Sequence, residues 1–136
     1  MMPIIDEFSR FVTVYFLSSK AQAAEMIIEC IRRYNNFTGN KVAILQTDNG
    51  GEFSSNEFRR ALADLGVRTQ TSVAYNPEQN GQAERMNRTL IDRARALLLH
   101  ASLPSSFWQS AVATDAHVTN RLPTSANGGR TPYELW

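Results

Sequence analysis

The pattern of apolar and polar positions predicts strands at four places in the chain. Residues 11–17, F-V-T-V-Y-F-L, are rich in β-branched and aromatic side chains, which favour strands. P-I-I-D at 3–6 could form the other arm of a hairpin, with E-F-S-R as its turn. V-A-I-L at 42–45 predicts a short buried strand that ends at Asp48, and V-R-T-Q-T at 67–71 predicts the next strand.

Two helices with recognisable start signals separate these strands. A capping-box pair, Ser and then Gln three residues later, opens a helical pattern over 19–34. A second pair, Ser and Glu at 54–57, predicts the start of another helix, with Phe53 and Phe58 placed as its hydrophobic staple. Gly66 stands where a helix of this length would end.

The second half of the chain begins with a polar segment, Y-N-P-E-Q-N-G at 75–81, which predicts a loop. A long helical pattern follows over 82–100, and Pro104 opens a last helix that would end near Asn120. The apolar stripe of the long helix consists of Ala83, Met86, Leu90, Ala94, Leu97 and Leu98. Strands that alternate with helices place the chain in the α/β class, with an antiparallel hairpin at one edge of a mixed sheet.

Composition narrows the setting of the protein. The chain has 136 residues, 43% of them hydrophobic and 20% charged, which favours one globular domain. No apolar run reaches the ~18 residues that a membrane span needs, and the start does not resemble a signal peptide, so we expect no membrane partner. Cys30 is the only cysteine and cannot form an internal disulfide, which suits a reducing compartment. His100 and His117 lack partners at zinc-finger spacing.

Basic residues are concentrated in one part of the long helix. The net charge of the chain is +1, which argues neither for nor against nucleic acid. Residues 85–95, however, carry four arginines against the single acid Asp92. These arginines could contact phosphates or form a solvated basic helix face.

Two carboxylates are placed where a site could form. Asp48 lies at the carboxyl end of a predicted strand, where open α/β sheets commonly build their sites. Glu84 follows Gly81 in the first turn of the long helix, beside the predicted apolar stripe. Taken alone, Asp48 could be a turn residue before Asn49, and Glu84 could complement the helix dipole.

The flanks of these two acids resemble a known family. T-D-N-G-G-E-F surrounds Asp48, and N-G-Q-A-E-R-M-N-R-T-L surrounds Glu84, with thirty-five residues between the two acids. Both are similar to the retroviral-type integrase core, and most of all to copia-type retrotransposon integrases. Further matches in family order are D-E-F-S-R, L-P-S-S-F-W, N-R-L-P-T and T-P-Y-E-L-W at 6–10, 103–108, 120–124 and 131–136.

The resemblance implies a fold and a reaction. The fold is a ribonuclease-H-like mixed sheet flanked by helices, and the reaction is metal-dependent phosphoryl transfer that joins element DNA to target DNA. Asp48 and Glu84 would be the second and third acidic ligands of a two-metal Mg²⁺ or Mn²⁺ site, since carboxylate oxygens suit these hard cations. The nucleophile would be water during trimming of the DNA ends and a 3′-hydroxyl during strand transfer.

The resemblance also implies residues that contact DNA, and partners. DNA-binding candidates are Gln79, Asn80, Arg85, Asn87 and Arg88, and the active-site loop would include Tyr75, Asn76 and Gly81. The expected partners are DNA and further copies of the chain. The expected location is the nucleus of a eukaryotic host or a cytoplasmic particle, inside the cell rather than secreted.

One acid of the family pattern is missing. The first family Asp lies on the first strand of the sheet, whereas the match here begins at the second strand. Asp6 belongs to the D-E-F-S-R turn and is expected to serve that turn rather than a metal. We therefore expect a core that lacks its first strand, with a partial catalytic core at 1–102 and a helix and tail packed on it at 103–136.

Three functions remain open from the sequence. The chain could be the catalytic core of an integrase whose active form includes upstream sequence. It could be an inactive integrase remnant that only binds DNA or self-associates. A generic ribonuclease-H-like nuclease fits the two acids but not the matches near the C-terminus.

Overall fold

The computed structural model describes residues 1–47, 50–71 and 77–136, with the backbone alone for Glu52, Thr71 and residues 77–80. It contains two compact units. The first consists of Met1–Phe16 and Gly81–Trp136, and the second of Leu17–Asn80. No helix in the described parts of the chain is both long enough and apolar enough to cross a membrane. The predicted division into 1–102 and 103–136 stays a prediction.

The first unit begins with the predicted hairpin. Strand β1 (Met2–Ile5) pairs antiparallel with β2 (Val12–Tyr15), and Ile5 lies opposite Val12. The connecting turn depends on Asp6, whose Oδ2 accepts hydrogen bonds from the backbone N–H of Ser9 at 2.8 Å and from its Oγ at 2.6 Å. The expectation that Asp6 serves the turn is confirmed.

Two helices supply the rest of the core of the first unit. Helix α3 (Pro77–His100), which belongs to this unit from Gly81 onwards, and α4 (Trp108–Thr119) bury apolar residues together with the hairpin. The buried members of this cluster are Val12, Leu90, Ala94, Ala111, Val112 and Ala116. Met86 and Leu98 are partly buried against it.

Two members of the predicted apolar stripe of α3 are exposed. They are Ala83, near the start of the helix, and Leu97, which is 41% exposed. Leu98, one residue further along, packs against the core cluster. Helical spacing identifies a face, but the neighbouring elements decide which residues of that face are buried.

The buried amide of Asn120 joins α4 to the hairpin. Asn120 is 4% exposed and directly follows α4. Its Oδ1 accepts from the N–H of Val12 at 2.8 Å, and its Nδ2 donates to the carbonyl oxygen of Val12 at 2.8 Å. Its own carbonyl oxygen accepts from the N–H of Tyr133 at 2.8 Å. Three segments that are distant in sequence therefore meet at one residue.

The C-terminal segment is more regular than the predicted irregular tail. It contains a 3-10 turn at Ser125–Asn127 and a short helix α5 (Pro132–Leu135), which Thr131 and Glu134 open with a reciprocal capping box. The Nδ2 of Asn127 donates to the carbonyl oxygen of Ser9 at 2.8 Å, and the ring of Trp136 stacks on Phe11 at 4.4 Å between centroids. The segment thus packs on the hairpin turn.

The second unit contains α1 (Ala23–Thr38), β3 (Ile44–Thr47), α2 (Asn56–Asp64) and β4 (Arg68–Thr71). The two strands pair in parallel, with Ile44 opposite Arg68. The buried residues of this unit are Ala23, Ile27, Ile28, Ile31, Phe58, Leu62 and Val67.

Strand β3 is not the buried strand that its apolar sequence predicted. It begins two residues later, ends at Thr47, and leaves Ile44 49% exposed. Among the described strands it pairs with β4 alone. The described strands thus form two separate pairs, one antiparallel and one parallel, rather than one continuous sheet.

The start of α1 differs from its sequence signature. The side chain of Ser19 makes no capping hydrogen bond, and the Oε1 of Gln22 accepts from the N–H of Ser18 at 2.8 Å instead. A 3-10 turn at Lys20–Gln22 occupies the positions predicted for the first turn of the helix, and α1 follows it. The helix continues past Tyr34 to Thr38, after which Gly39 adopts φ +70°.

The start of α2 is shifted by one residue. Ser55, not Ser54, is the N-cap, and its Oγ accepts from the N–H of Phe58 at 3.1 Å. The Oγ of Ser54 donates to the carbonyl oxygen of Gly51 instead. The predicted staple contact is present, with the rings of Phe53 and Phe58 5.8 Å apart. Gly66 follows the helix at φ +72°, as expected.

We expect Asn120→Ala to lower the free energy of unfolding by about 2–4 kcal/mol, because it leaves the buried N–H and C=O of Val12 without partners. Urea unfolding followed by circular dichroism measures the change. Asn36→Ala, at an exposed position of α1, is the matched control and should cost less than about 1 kcal/mol. Equal losses in the two variants would contradict the bridging role.

Candidate metal and nucleic-acid site

The two predicted metal ligands differ in how far the structure describes them. Asp48 lies outside the described residues, directly after β3. Glu84 lies on α3 with its side chain exposed, and no described residue makes a hydrogen bond or ion pair with its carboxylate. The described part of the chain contains no group of three His, Cys, Asp or Glu side chains that could hold a metal ion. The carboxylate of Glu84 is therefore not occupied by any described group.

The predicted loop over 75–81 is helical in its described part. Helix α3 begins at Pro77, five residues before the predicted start, and Tyr75 and Asn76 lie outside the described residues. Gln79 and Asn80 belong to the first turns of α3. Proline suits the first position of a helix because its φ is already helical and its missing N–H has no partner there in any case. The predicted start of α3 was too late because Pro77 and Gly81 were taken to be loop residues.

Gly81 makes room for the side chain of Arg85 one turn later. A Cβ built at Gly81 would lie 2.8 Å from Nη1 of Arg85, closer than two such atoms approach. The guanidinium of Arg85 therefore lies against the backbone at Gly81. The use of this glycine in the structure is a close approach within a helix, not the conformational freedom of a loop.

One face of α3 carries a shallow, open depression between its side chains, here called the α3 groove. Its lining residues are three and four positions apart and share one helix face over about 16 Å. They are Glu84, Asn87, Arg88, Ile91, Asp92 and Arg95. Three predicted site residues, Glu84, Asn87 and Arg88, thus meet here. Arg85 is not among the lining residues.

Arg88 is the cation of the groove that is open to a ligand. Arg88 is exposed and has no ion-pair or hydrogen-bond partner among the described residues. The Oδ1 of Asn87 is buried and likewise accepts no hydrogen bond from the described part of the protein. The sequence analysis missed Ile91 as a lining residue, although its position seven residues after Glu84 indicates the same face.

Arg93 and Arg95 have different roles despite their similar positions in the sequence. Arg93 points to α4, where its Nη1 lies 4.0 Å from Oδ1 of Asp115 and donates to Oγ1 of Thr119 at 3.2 Å. Arg95 lines the groove, and its Nη1 lies 3.7 Å from Oδ1 of Asp92. Arg93 therefore serves packing between α3 and α4, and Arg95 belongs to the groove.

Asp115 is a buried acid that the sequence analysis did not single out. It is 6% exposed, and its Oδ2 has no hydrogen-bond partner within the described residues. Burial raises the pKa of this carboxyl, and the charge of Arg93 opposes the rise. Its place between Val112 and Ala116 on the buried side of α4 was the available signal.

Comparison with known proteins assigns the chain to a family. Residues 1–77 match the family model described as integrase core domain. The chain belongs to the integrase core domain family. The predicted resemblance is confirmed.

Relatives of this integrase core are parts of transposon polyproteins. The chain is 38% identical over 132 residues to the retrovirus-related Pol polyprotein from transposon TNT 1-94 of Nicotiana tabacum, a match that covers 97% of the chain and 10% of the polyprotein. It is 32% identical over 130 residues to those from transposons RE2 and RE1 of Arabidopsis thaliana, covering 96% of the chain and 9% of each. The chain thus spans about a tenth of the length of these relatives.

Solved structures confirm the predicted ribonuclease-H-like fold class. The catalytic core domain of BIV integrase matches with a TM-score of 0.70 and 25% identity, covering 98% of this chain and 82% of that one. A simian T-cell lymphotropic virus intasome in complex with PP2A regulatory subunit B56 gamma matches at 0.75 and 24%, covering 98% and 46%. The HTLV-2 integrase catalytic core domain, in complex with magnesium in a trimeric form, matches at 0.70 and 22%, covering 96% and 80%.

We expect Gly81→Ala to raise the free energy of unfolding of the integrase core by about 0.5–1 kcal/mol, because alanine favours a helix and the flexible Arg85 side chain can move aside. Thermal unfolding measures the change, with Gly66→Ala as a control that should destabilise because Gly66 has φ +72°. Destabilisation of the Gly81 variant would contradict its helical placement.

We expect Asp115→Asn to raise the unfolding midpoint at pH 7 by about 3 °C, because the amide carries no charge to bury. The raised pKa of Asp115 means that its favourable, protonated form predominates below the ordinary value of 3.8 and that its contribution is lost as the pH rises through the raised pKa. The difference between variant and wild type should therefore shrink as the pH falls towards 3.8.

Thermal unfolding at a series of pH values tests this expectation. Asp64→Asn, at an exposed position of α2, is the matched control and should change the midpoint little at any pH. A lower midpoint for Asp115→Asn at pH 7 would mean that the pairing with Arg93 outweighs the cost of burial.

Proposed function

We propose that this integrase core acts in DNA integration, as the polynucleotidyl transferase part of a retrotransposon polyprotein. The observation that carries the proposal is the groove on α3, where the exposed Glu84 carboxylate shares one helix face with Asn87 and Arg88. A carboxylate beside phosphate-binding groups is what metal-dependent phosphoryl transfer requires. Membership of the integrase core family supports this reading over that of a generic nuclease.

Asp48 and Glu84 would hold Mg²⁺ or Mn²⁺. Glu84 fits because its oxygens are exposed and no described residue competes for them. The assignment of Asp48 rests on the T-D-N-G-G-E-F motif, and a third carboxylate would complete the set that the family resemblance implies. When bound, such a metal pair supplies Lewis-acid stabilisation of the attacking and leaving oxygens.

The residues around Glu84 would bind and orient the DNA. Arg88 offers a free guanidinium to a phosphate, and Asn87 would donate through its Nδ2, since its Oδ1 is a buried acceptor. Such contacts set the position of the DNA but do not read its sequence. Arg85, Gln79 and Asn80 would extend this surface towards the N-terminus of α3, next to the proposed active-site loop of Tyr75, Asn76 and Gly81.

The partners would be element ends, target DNA and further copies of the chain. Two similar structures support this: one is a viral intasome, and the other is a trimeric form with magnesium. In a eukaryotic host, joining to chromosomal DNA would take place in the nucleus.

A second candidate function is DNA binding or self-association without catalysis. It is favoured by the exposed guanidinium of Arg88, which has no partner among the described residues and needs no metal to bind a phosphate. The groove would then bind phosphates, but no phosphodiester bond would be cut or joined.

The decisive experiment is a strand-transfer assay with Mn²⁺ on labelled DNA, for this chain and for a version extended upstream. We expect Asp48→Asn and Glu84→Gln each to reduce the activity of the active form at least about a hundredfold, because each removes a metal ligand. DNA binding measured in parallel should survive both changes.

A separate variant tests whether α3 binds DNA. Arg88→Gln should weaken binding and lower the slope of log K against log salt by about 0.9, because one phosphate contact is lost. The matched control is Arg32→Gln on an exposed position of α1. Binding without activity in both chain lengths would support the second candidate, and activity that survives Glu84→Gln would overturn the metal assignment.

A further inference from the structure

The positive and negative side chains that line the α3 groove are equal in number, so their formal charges sum to zero. Its lining carries two guanidinium groups, Arg88 and Arg95, and two carboxylates, Glu84 and Asp92. A DNA backbone that approaches this face therefore meets no net positive charge, although the same helix has four arginines. The proposed function assigns Glu84 a metal, but it assigns no role to Asp92.

Asp92 is paired with Arg95 at the surface of the groove. The Oδ1 of Asp92 lies 3.7 Å from Nη1 of Arg95, and the two side chains are 63% and 74% exposed. Ion pairs this exposed contribute about 0–1 kcal/mol, so the pair can open at little cost. Arg95 is thus held by a partner that a phosphate could replace.

We propose that Asp92 attenuates polyanion binding by this helix, by occupying Arg95 in the free protein and by repelling phosphate once Arg95 is released. This inference rests on the proposed function, namely that DNA phosphates contact α3. It adds that the ion pair between Asp92 and Arg95 sets the affinity for DNA and the dependence of that affinity on salt concentration.

The geometry places a second phosphate position at Arg95. Seven residues separate Arg88 from Arg95, which is about 10 Å along the helix axis. Phosphates of one strand advance by about 3.4 Å along the DNA axis, so the two arginines match phosphates about three apart when helix and strand run alongside each other. Ile91 lies between them in the lining and offers no competing charge.

Asp92 remains within range of a phosphate bound at Arg95. The Debye length is about 8 Å at physiological ionic strength, longer than the distance across the ion pair. A phosphate that displaces the carboxylate therefore still feels its negative charge. The other arginines do not share this arrangement, because Arg93 pairs with the buried Asp115 and Arg85 lies against Gly81.

A plain structural role for the pair is the competing explanation. Oppositely charged residues at positions i and i+3 stabilise a helix by about 0.2–0.5 kcal/mol. That role predicts a small loss of stability in Asp92→Asn and no specific change in DNA affinity. The two explanations therefore differ in a measurable quantity.

The test is a double-mutant cycle in DNA binding, measured by fluorescence anisotropy with a short labelled duplex over a series of salt concentrations. The four proteins are the wild type, Asp92→Asn, Arg95→Gln and the double variant. We expect Asp92→Asn to bind about fivefold more tightly at low salt and to steepen the salt slope by about 0.9, as for one additional phosphate contact. In the Arg95→Gln background the gain from Asp92→Asn should fall below about twofold, since the freed guanidinium is absent.

Controls separate this proposal from a general effect of charge and from failure of the proposed function. Asp64→Asn on α2 makes the same change in net charge and should alter affinity less than about twofold. The proposal is overturned if Asp92→Asn leaves affinity unchanged, if its gain persists without Arg95, or if Asp64→Asn gives the same gain. If the wild type binds no DNA, or if Arg88→Gln binds as well as the wild type, the assignment of DNA to α3 fails and the attenuation falls with it.

Discussion

The paired hydrogen bonds between the amide of Asn120 and the backbone of Val12 are the contact on which the first unit depends. Strand β2 has only four residues, and the buried N–H and carbonyl oxygen of Val12, its first residue, need partners. Asn120 supplies a donor and an acceptor from the end of α4. Because its own carbonyl also receives the N–H of Tyr133, the same residue ties the C-terminal segment to the hairpin.

This arrangement decides what α3 can present to a ligand. The hairpin and α4 bury Leu90 and Ala94 on one side of the helix. Successive residues turn by about 100°, so the groove residues from Glu84 to Arg95 occupy a different side, which the described part of the first unit leaves open. One helix thus supplies core packing and a charged surface at once. Its arginines divide accordingly: Arg93 stabilises the contact with α4, and Arg88 and Arg95 face the groove.

Several elements could be predicted from residues that are neighbours in the sequence. The hairpin, the turn at Asp6, the glycine that follows α2, and strand β4 were predicted because neighbouring residues determine them. The errors occurred where signals competed. Ser54 and Ser55 are adjacent possible caps, and the hydrogen bond from Ser54 to Gly51 leaves capping to Ser55. Pro77 and Gly81 were read as loop residues, although a proline also opens a helix and a glycine also admits a close side chain.

The sequence by itself determined the family, since its motifs lie in order along nearly the whole chain, and it singled out Asp48 and Glu84 through their flanks. It also predicted that an acid and several arginines share the start of one long helix. Tertiary structure alone decided which of these charges meet. Arg93 pairs with Asp115 because α4 packs beside that part of α3, whereas Arg95 pairs with Asp92 on its own helix. The exposure of Ile44 depends on which elements pack against strand β3. Such outcomes depend on contacts between residues far apart in the chain, which local patterns do not encode.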